Sequence, residues 1–307
     1  MESITRRSFL KLGVQLSAVM GLGASAAPQL AEALEKMATG AAPVIWLQGQ
    51  SCSGCTVSLL DSQFPGPAAL LTEYINLLFH QTLSTATGHM AVDTLAKAVA
   101  QGGYILCVEG AVPAGMPSAC RFGEEDFGTQ LLRAVKNAKA VVAVGTCAAH
   151  GGIPAAEGNP TGAVSVPKYL ADNGVKTPVI RIPGCPSHPE WILGTLVHVI
   201  KFGMPELNAR GEPKMFFSKL VHDQCTRFAD YEREHFARAF GEPGCLFKLG
   251  CLGVATSADC NVRLWNSGTN TCIRAGAPCI GCASADFVAH ANVPLTTLTR
   301  AREVPKN

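Results

Sequence analysis

The sequence contains few charged residues, few aromatic residues and no long apolar run. Charged side chains make up 16% of the 307 residues and aromatic ones 7%, whereas 48% are hydrophobic. No segment beyond the N-terminal region reaches the roughly 18 apolar residues of a membrane helix, so no membrane anchor is expected in the mature chain. The net charge is only +2 and no run of lysine and arginine occurs, so nothing indicates a nucleic-acid partner. The length and apolar content suffice for two domains and a sizeable core.

Residues 1–33 have the features of an export signal. Arg6 and Arg7 are followed by Ser-Phe-Leu-Lys, the order of a twin-arginine signal, and a mildly apolar stretch comes next. Two Ala-x-Ala motifs end at Ala26 and Ala33, so the cleavage site stays open. The alternative is an ordinary signal peptide with an incidental arginine pair. Because the twin-arginine route exports folded proteins, it suits a periplasmic protein that acquires a cofactor in the cytoplasm.

Apolar, β-branched runs alternate with helix-like stretches in the first two thirds of the chain. Such runs, each with Gly or Cys at or near its end, occur at 43–52, 104–112, 140–148 and 178–185. Helices are predicted at 91–101, 127–139, 166–174 and 189–202. Apolar runs of this length are typical of strands buried on both faces. The alternation predicts an α/β domain over residues 43–204, with a flavodoxin-like, doubly wound parallel sheet.

The sequence pattern changes near residue 205. Gly, Pro, Cys and charged residues mix from there on, and only 228–240 has helical periodicity. We therefore expect residues 205–307 to form a loop-rich domain that depends for its order on something other than a large apolar core.

Thirteen cysteines is a high and odd number for one chain, so they cannot all pair with one another. Cys52 and Cys55 follow the first predicted strand, and Cys147 and Cys185 end the third and the fourth. Ligands of open α/β sheets bind at the carboxyl ends of strands, where these four thiolates would converge. A C-x-x-C pair alone would equally fit a thioredoxin-like dithiol. The two further strand-end cysteines favour a four-thiolate cofactor site, for which zinc is the other soft-ligand candidate.

Long stretches around these cysteines resemble the small subunit of [NiFe] hydrogenases. They are WLQGQSCSGCTVSLL, VEGAVP, VGTCAAHGGIPAAEGNP and IPGCPSHP, and the match extends from about residue 43 to residue 285. The third stretch is also similar to the nickel–iron–selenium subgroup. The resemblance implies a proximal [4Fe–4S] cluster beside a nickel–iron site in a separate large subunit. Its ligands would be Cys52, Cys55, Cys147 and Cys185.

Two glycines bear on the type of this proximal cluster. Oxygen-tolerant members of the family carry extra cysteines at the positions of Gly54 and Gly152. The resemblance therefore implies an ordinary cubane, and oxygen tolerance by that route is not expected.

The resemblance continues through the loop-rich region and implies two further clusters. The distal cluster would be held by His222, Cys225, Cys245 and Cys251. The medial cluster would be held by Cys260, Cys272, Cys279 and Cys282. Many relatives have proline at the position of Cys272 and a [3Fe–4S] medial cluster. A fourth thiolate can hold a fourth iron, so a [4Fe–4S] cluster is expected here, with a free structural cysteine as the alternative for Cys272.

The remaining polar residues support weaker interpretations. Cys107 falls inside a predicted strand and is expected to be a buried apolar thiol, and the sequence indicates no role for Cys120. His150 and His188 are expected to form hydrogen bonds to cluster sulfur or to pack at the large-subunit interface, in preference to acting as ligands. Glu109 is expected to line the same interface, with a proton relay as the less favoured alternative.

The resemblance implies that the chain carries single electrons and has no catalytic residue of its own. The large subunit would interconvert H2 with protons and electrons. The outer electron partner would be a c-type cytochrome or a separate membrane subunit. The competing interpretations are a zinc-stabilised exported protein, a disulfide framework, and the cluster subunit of quinone oxidoreductases, which resembles only the first domain.

Overall fold

The computed structural model describes residues 6–21, 23–38, 43–63, 66–70 and 75–290. The strands are β1 Pro43–Gln48, β2 Asn76–His80, β3 Tyr104–Glu109, β4 Val112–Pro113, β5 Arg121–Phe122, β6 Glu125–Asp126, β7 Ala138–Val144, β8 Ala163–Val164 and β9 Val179–Ile182. The α-helices are α1 Arg6–Val19, α2 Ala27–Ala38, α3 Gly54–Leu60, α4 Pro67–Ala69, α5 Gly88–Gln101, α6 Phe127–Val135, α7 Gly145–His150, α8 Val166–Asp172, α9 Pro189–Phe202, α10 Lys214–Phe217, α11 Phe228–Glu232, α12 Cys260–Arg263 and α13 Phe287–His290.

Five parallel strands form the central sheet, in the order β2-β1-β3-β7-β9. This is the flavodoxin order, in which the chain reverses direction across the sheet between β1 and β3. The predicted α/β fold is therefore confirmed. The edge strand β2 is not predicted from the sequence. It pairs only with β1, and its first three residues are half-buried, so it lacks the fully buried apolar run of a central strand.

Successive residues of β1 point into two different cores. Ile45 and Leu47 pack with α5, α6 and α8 on one face of the sheet. Val44 and Trp46 pack on the other face with α3, α9 and the loop-rich region. Burial on both faces explains why the central strands have nearly continuous apolar sequences.

The loop-rich region packs against the sheet side of the molecule through α9. The indole Nε1 of Trp191 donates to Asp259 Oδ1 at 2.7 Å. Arg263 forms ion pairs at 2.5 Å with Glu190 of α9 and with Asp259. Phe217 is 1% exposed and lies 4.9 Å from Trp191, measured between ring centroids. These contacts join the two regions into one core.

The helix predicted over 228–240 is wrong beyond its first turns. The helix α11 ends at Glu232, and Glu234 follows with a positive φ of 56°. The chain then turns so that His235 donates its N–H to Asp230 O at 2.8 Å and accepts the N–H of Cys245 at 2.8 Å. A helix through 240 would carry Phe236 away from the aromatic group that it forms with Tyr231 and Phe247.

The predicted signal segment includes two helices that pack on the α/β region. Leu30 of α2 is fully buried, and Glu32 forms an ion pair with Lys201 of α9 at 2.5 Å. The part of the chain that the structure describes does not include residues 1–5, 22, 39–42 and 291–307. In the described part of the chain, no helix combines the length and apolarity that a membrane span requires.

Candidate metal centres

The first group of cysteines lies at the carboxyl edge of the sheet. Cys52 follows β1, and Cys55 lies in the first turn of α3. Cys147 lies in α7, directly after β7, and Cys185 follows β9 and precedes a cis-proline. The four thiols lie close enough to affect one another's ionisation: Cys55 is influenced by Cys147 and Cys185, and both of these by other members of the group. The structure thus brings together all four residues predicted for the proximal site.

Burial keeps the thiols of Cys55, Cys147 and Cys185 protonated in the metal-free chain. Burial, with a smaller contribution from nearby Cys52, raises the pKa of Cys147 to about 11. Burial also raises the pKa of Cys185 to about 11, with Cys147 adding to the shift. Thiolates crowded in a low-dielectric site would repel one another. The thiols therefore stay protonated until a positively charged group compensates the negative charge.

Glycines surround this group where a side chain would collide with sulfur. A Cβ on Gly145 would overlap the Cys55 sulfur, and one on Gly152 would lie 3.0 Å from the Cys147 sulfur. A Cβ on Gly54 would lie 3.1 Å from Cys52 Sγ. The soft thiol donors and the space kept open around them fit an iron–sulfur cluster.

Glu109 lies behind this site and does not line an open surface. It is 2% exposed, and its carboxylate accepts four hydrogen bonds. The donors are the Cys55 N–H at 2.9 Å, the Thr56 hydroxyl at 2.5 Å, Gln48 Nε2 at 3.1 Å and Trp46 Nε1 at 3.2 Å. In the isolated chain, Glu109 therefore holds the first turn of α3 in place, and the expectation that it lines an interface needs correction.

His80, which the sequence does not single out, completes this network. Its Nδ1 accepts the backbone N–H groups of Thr82 and Leu83 at 3.1 and 3.3 Å. The Nε2 atom therefore carries the proton and donates to Thr56 Oγ1 at 3.3 Å. Burial lowers the pKa of His80 to about 4, so the ring is neutral at physiological pH.

The residues predicted for the distal site share one small pocket. His222, Cys225, Cys245 and Cys251 all line it, together with Ile273 and Phe247. His222 packs edge-on against Tyr231, with 4.6 Å between the ring centroids. Its carbonyl accepts the Cys225 N–H at 3.0 Å, which fixes the three-residue spacing as a tight turn. Burial raises the pKa of Cys225 and of Cys245, and Cys251 raises both further.

The residues predicted for the medial site also form one group. Burial raises the pKa of Cys279 to about 12, and Cys282 and Cys272 both add to the shift. Burial raises the pKa of Cys260 as well, and Cys282, Cys279 and Cys272 all add to the shift. Cys272 is exposed whereas Cys279 is buried, so Cys272 approaches the group from the solvent side. Cys272 therefore lies near enough to Cys260 and Cys279 to affect the pKa of both thiols.

The three groups of cysteines contact one another in series. The backbone N–H of Cys279 in the medial group donates to the Cys251 sulfur of the distal group at 3.4 Å. Cys282 of the medial group and Cys185 of the proximal group both pack against Phe287, which is 2% exposed. The medial group therefore lies between the other two.

None of the thirteen cysteines forms a disulfide bond, and all of them lie in the described part of the chain. Cys107 is fully buried in β3, and burial raises its pKa, as expected for an apolar thiol. Cys120 is half-buried beside the core that contains α5 and α6. Within the described ranges, no three His, Cys, Asp or Glu side chains are grouped as a single metal ion requires. In a cluster each thiolate binds a different iron, so this finding concerns a mononuclear ion only.

The histidines next to proximal cysteines bind other parts of the chain. His150 Nε2 lies 3.0 Å from the Glu212 carboxylate. His188 Nε2 donates to Leu264 O at 2.8 Å, and its Nδ1 accepts the Glu190 N–H at 3.2 Å at the start of α9. Burial lowers the pKa of His188. Both rings therefore fasten the loop-rich region to the sheet side, and neither hydrogen-bonds to a cysteine sulfur here.

Comparison with known proteins agrees with this geometry. Residues 217–294 match the C-terminal family model of the NiFe/NiFeSe hydrogenase small subunit. The chain is 40% identical to the periplasmic [NiFeSe] hydrogenase small subunit of Desulfomicrobium baculatum, over 93% of this chain and 96% of that protein. The chain belongs to the NiFe/NiFeSe hydrogenase small-subunit family. This hydrogenase small subunit is also 38% identical to the periplasmic [NiFe] hydrogenase small subunit of Solidesulfovibrio fructosivorans, over 93% and 91% of the two chains.

Solved structures give the same result for the fold. The H2-activated [NiFeSe] hydrogenase of Desulfomicrobium baculatum aligns with a TM-score of 0.78 at 41% identity, covering 80% of this small subunit and 95% of that chain. The recombinant [NiFeSe] hydrogenase of Desulfovibrio vulgaris Hildenborough aligns with a TM-score of 0.77 at 42% identity, covering 80% and 94%. Residues 52–199 also match the model for the NADH ubiquinone oxidoreductase 20 Kd subunit. That match stops before the loop-rich region, as the sequence predicts for that family.

Proposed function

We propose that this small subunit relays electrons between a hydrogenase large subunit and an external redox partner through three [4Fe–4S] clusters. The proximal ligands are Cys52, Cys55, Cys147 and Cys185. The medial ligands are Cys260, Cys272, Cys279 and Cys282. The distal ligands are His222, Cys225, Cys245 and Cys251. When bound, clusters of this type accept and release single electrons.

The serial contact of the three groups is the observation that carries this proposal. A metal-stabilised binding module has no need for sites in series. Here the Cys279 N–H reaches the Cys251 sulfur, and Phe287 packs on both Cys185 and Cys282. Groups arranged in this way favour the transfer of a charge from one site to the next.

The chain's own residues prepare each site for a cluster. The buried thiols release their protons when iron binds, because their raised pKa values keep them protonated in the iron-free chain. Backbone N–H groups then remain directed at sulfur, as the Arg227 N–H is at Cys225 and the Gly281 N–H at Cys279, both at 3.4 Å. Such hydrogen bonds stabilise added negative charge and so tune the reduction potential.

The two ends of the relay face different partners in this proposal. Cys52 is exposed, and Val57 on the following helix is 64% exposed, so the large subunit has an apolar surface to cover next to the proximal site. At the other end, the neutral imidazole of His222 replaces one charged thiolate and so favours the reduced state. A c-type cytochrome or a separate membrane subunit would collect the electron there.

The cellular setting is part of the proposal. The Arg6-Arg7 motif supports export of the folded protein by the twin-arginine route, and relatives are named as periplasmic hydrogenases. That route allows the clusters to be inserted in the cytoplasm before export. The glycines at positions 54 and 152 support an ordinary proximal cubane.

The test is to purify the complex with its large subunit and to determine iron and acid-labile sulfide. Three cubanes require about twelve irons with matching sulfide. Cys185→Ala should lower both, whereas the matched control Cys120→Ala should lower neither. A complex that contains zinc and no labile sulfide would disprove the proposal.

A further inference from the structure

Thr146 lies at the joint between the proximal and medial groups. It is 1% exposed and directly precedes Cys147 in α7. Its hydroxyl donates to the backbone carbonyl of Cys282, which lies 136 residues further along the chain. The same hydroxyl accepts the Gly184 N–H at 2.8 Å. One side chain therefore contacts the residue before Cys185 and the backbone of Cys282 at the same time.

The backbone of Thr146 reinforces this joint. Its N–H donates to Gly184 O at 2.9 Å, so Thr146 and Gly184 are joined by two hydrogen bonds in opposite directions. This pair fixes Cys147 relative to Cys185, because each cysteine is the next residue along the chain. The bond from the hydroxyl to Cys282 O then joins the medial group to the proximal one, beside the packing of Phe287 on Cys185 and Cys282 and a backbone hydrogen bond from Cys185 to the Cys282 thiol.

The medial and distal groups are joined by bonds from backbone N–H groups. There the Cys279 N–H bonds directly to the Cys251 sulfur at 3.4 Å, and a second backbone bond joins Leu252 N–H to Cys279 O at 2.7 Å. No side-chain hydroxyl takes part in these two bonds. Among these hydrogen bonds, the one from the Thr146 hydroxyl to Cys282 O is therefore the one that a side-chain substitution outside the proposed ligands can remove.

We infer that the Thr146 hydroxyl is a positioning group that sets the contact between the proximal and medial sites, and thereby the rate of electron transfer between them. This inference rests on the proposed relay function. Thr146 touches neither H2 nor an external partner, so it has no role in H2 activation or in delivery to the partner. Its effect is confined to one step inside the chain, in which the proximal site loses one electron and the medial site gains it.

The test compares three variants of the assembled heterodimer. Thr146→Val keeps the shape of the side chain and removes the hydroxyl, and Thr146→Ser keeps the hydroxyl. Thr195→Val is the matched control, because Thr195 is fully buried in α9 and its hydroxyl has no hydrogen-bond partner within the described residues. Iron content is measured first for each variant.

Two activities then separate the relay from H2 activation. We expect Thr146→Val to slow H2-driven dye reduction by about tenfold, within the range that ångström-scale misplacement costs. The exchange of hydrogen isotopes between H2 and water needs no relay, so it should stay at the wild-type rate. Thr146→Ser and Thr195→Val should match the wild type in both assays.

A spectroscopic readout is independent of turnover. In the fully reduced complex, neighbouring paramagnetic clusters split each other's EPR signals, and Thr146→Val should alter the splitting between the proximal and medial pair. Unchanged splitting and dye reduction in a Val variant with full iron would overturn the inference while leaving the relay intact. A wild-type complex without iron–sulfur clusters would instead overturn the proposed function.

Hydrogen exchange provides a test that does not depend on how the Val variant folds. The Gly184 amide is bonded to the Thr146 hydroxyl in the wild type, so it should be strongly protected in the assembled complex and equally protected in Thr146→Ser. Rapid exchange of this amide in the wild type would also overturn the inference.

Discussion

The sheet region and the loop-rich region hold their cysteines by opposite means. In the sheet region, strands buried on both faces end at one edge, and the proximal cysteines occupy positions that the fold would create without them. In the loop-rich region, α10, α11 and α12 have only four or five residues each, and every proposed ligand except Cys260, the first residue of α12, lies outside the α-helices. The fold therefore positions the proximal cysteines, whereas we expect the proposed clusters of the loop-rich region to order the chain around them.

Removal of iron should reveal this difference most strongly. We expect the iron-free chain to lose ordered structure over the loop-rich region first, because metal binding there is coupled to folding. The sheet should persist, because its core between α5, α6 and α8 contains none of the proposed ligands. Limited proteolysis of the chelated complex with mass mapping is the measurement. Early cuts within 91–180 would contradict the prediction, whereas early cuts within 225–285 would support it.

Acidification should affect the sheet region through His80. The pKa of this buried ring is lowered from its ordinary value of 6.5 to about 4, so the unfolded chain binds the proton first as pH falls. The stabilisation is fully present above pH 6.5 and decreases as pH falls towards 4. Between pH 7 and pH 5 the free energy of unfolding should fall by about 2 kcal/mol from this ring alone.

Denaturant titrations at both pH values check the prediction for His80. His80→Gln should show a smaller pH dependence than the wild type by about that amount. His89→Gln, which alters an exposed histidine, should keep the wild-type dependence. Identical pH dependence in all three proteins would show that His80 does not titrate as its burial requires.

The junction of the two regions should be sensitive to the Trp191 indole. Trp191→Phe keeps the aromatic contact with Phe217 and removes the hydrogen bond to Asp259, which is also paired with Arg263. We expect a loss of about 1.5 kcal/mol in the free energy of unfolding, since a half-buried, charged acceptor loses one donor. The loss should appear in the transition of the loop-rich region. A change confined to the sheet transition would place the junction elsewhere.

The smallest effect is expected at Cys107. Cys107→Ala should cost about 1 kcal/mol, as a small truncation in a packed strand does, and should leave iron and sulfide unchanged. Cys279→Ala, a truncation of another buried cysteine, should lower both. If Cys107→Ala lowers the iron content, the division of the thirteen cysteines into eleven ligands and two others is wrong.

The sequence predicts the sheet region well because its signals are local. Each central strand is a continuous apolar run, and Cys52, Cys147 and Cys185 follow such runs directly. The edge strand β2 is missed, because half-burial gives it no such pattern. The helix predicted over 228–240 fails for the opposite reason: helical periodicity is present, but the contacts of Phe236 and Cys245 override it.

The residues that join the sites are less visible in the sequence. Thr146 bonds to partners that lie 38 and 136 residues away in the sequence. Phe287 acts by packing on Cys185 and Cys282, and the His80 ring stacks on Trp46. No spacing rule indicates any of the three. Cys272 lies near Cys260, Cys279 and Cys282 although many relatives have proline at its position, and the structure adds that Cys272 approaches from the solvent side.

The central claim is that eleven cysteines and one histidine hold three four-iron clusters. Low-temperature EPR of the gently oxidised heterodimer, combined with iron determination, tests it most directly. We predict about twelve cluster irons and no three-iron signal, because Cys272 would supply a fourth medial thiolate. A stoichiometric three-iron signal that persists after anaerobic purification would contradict it.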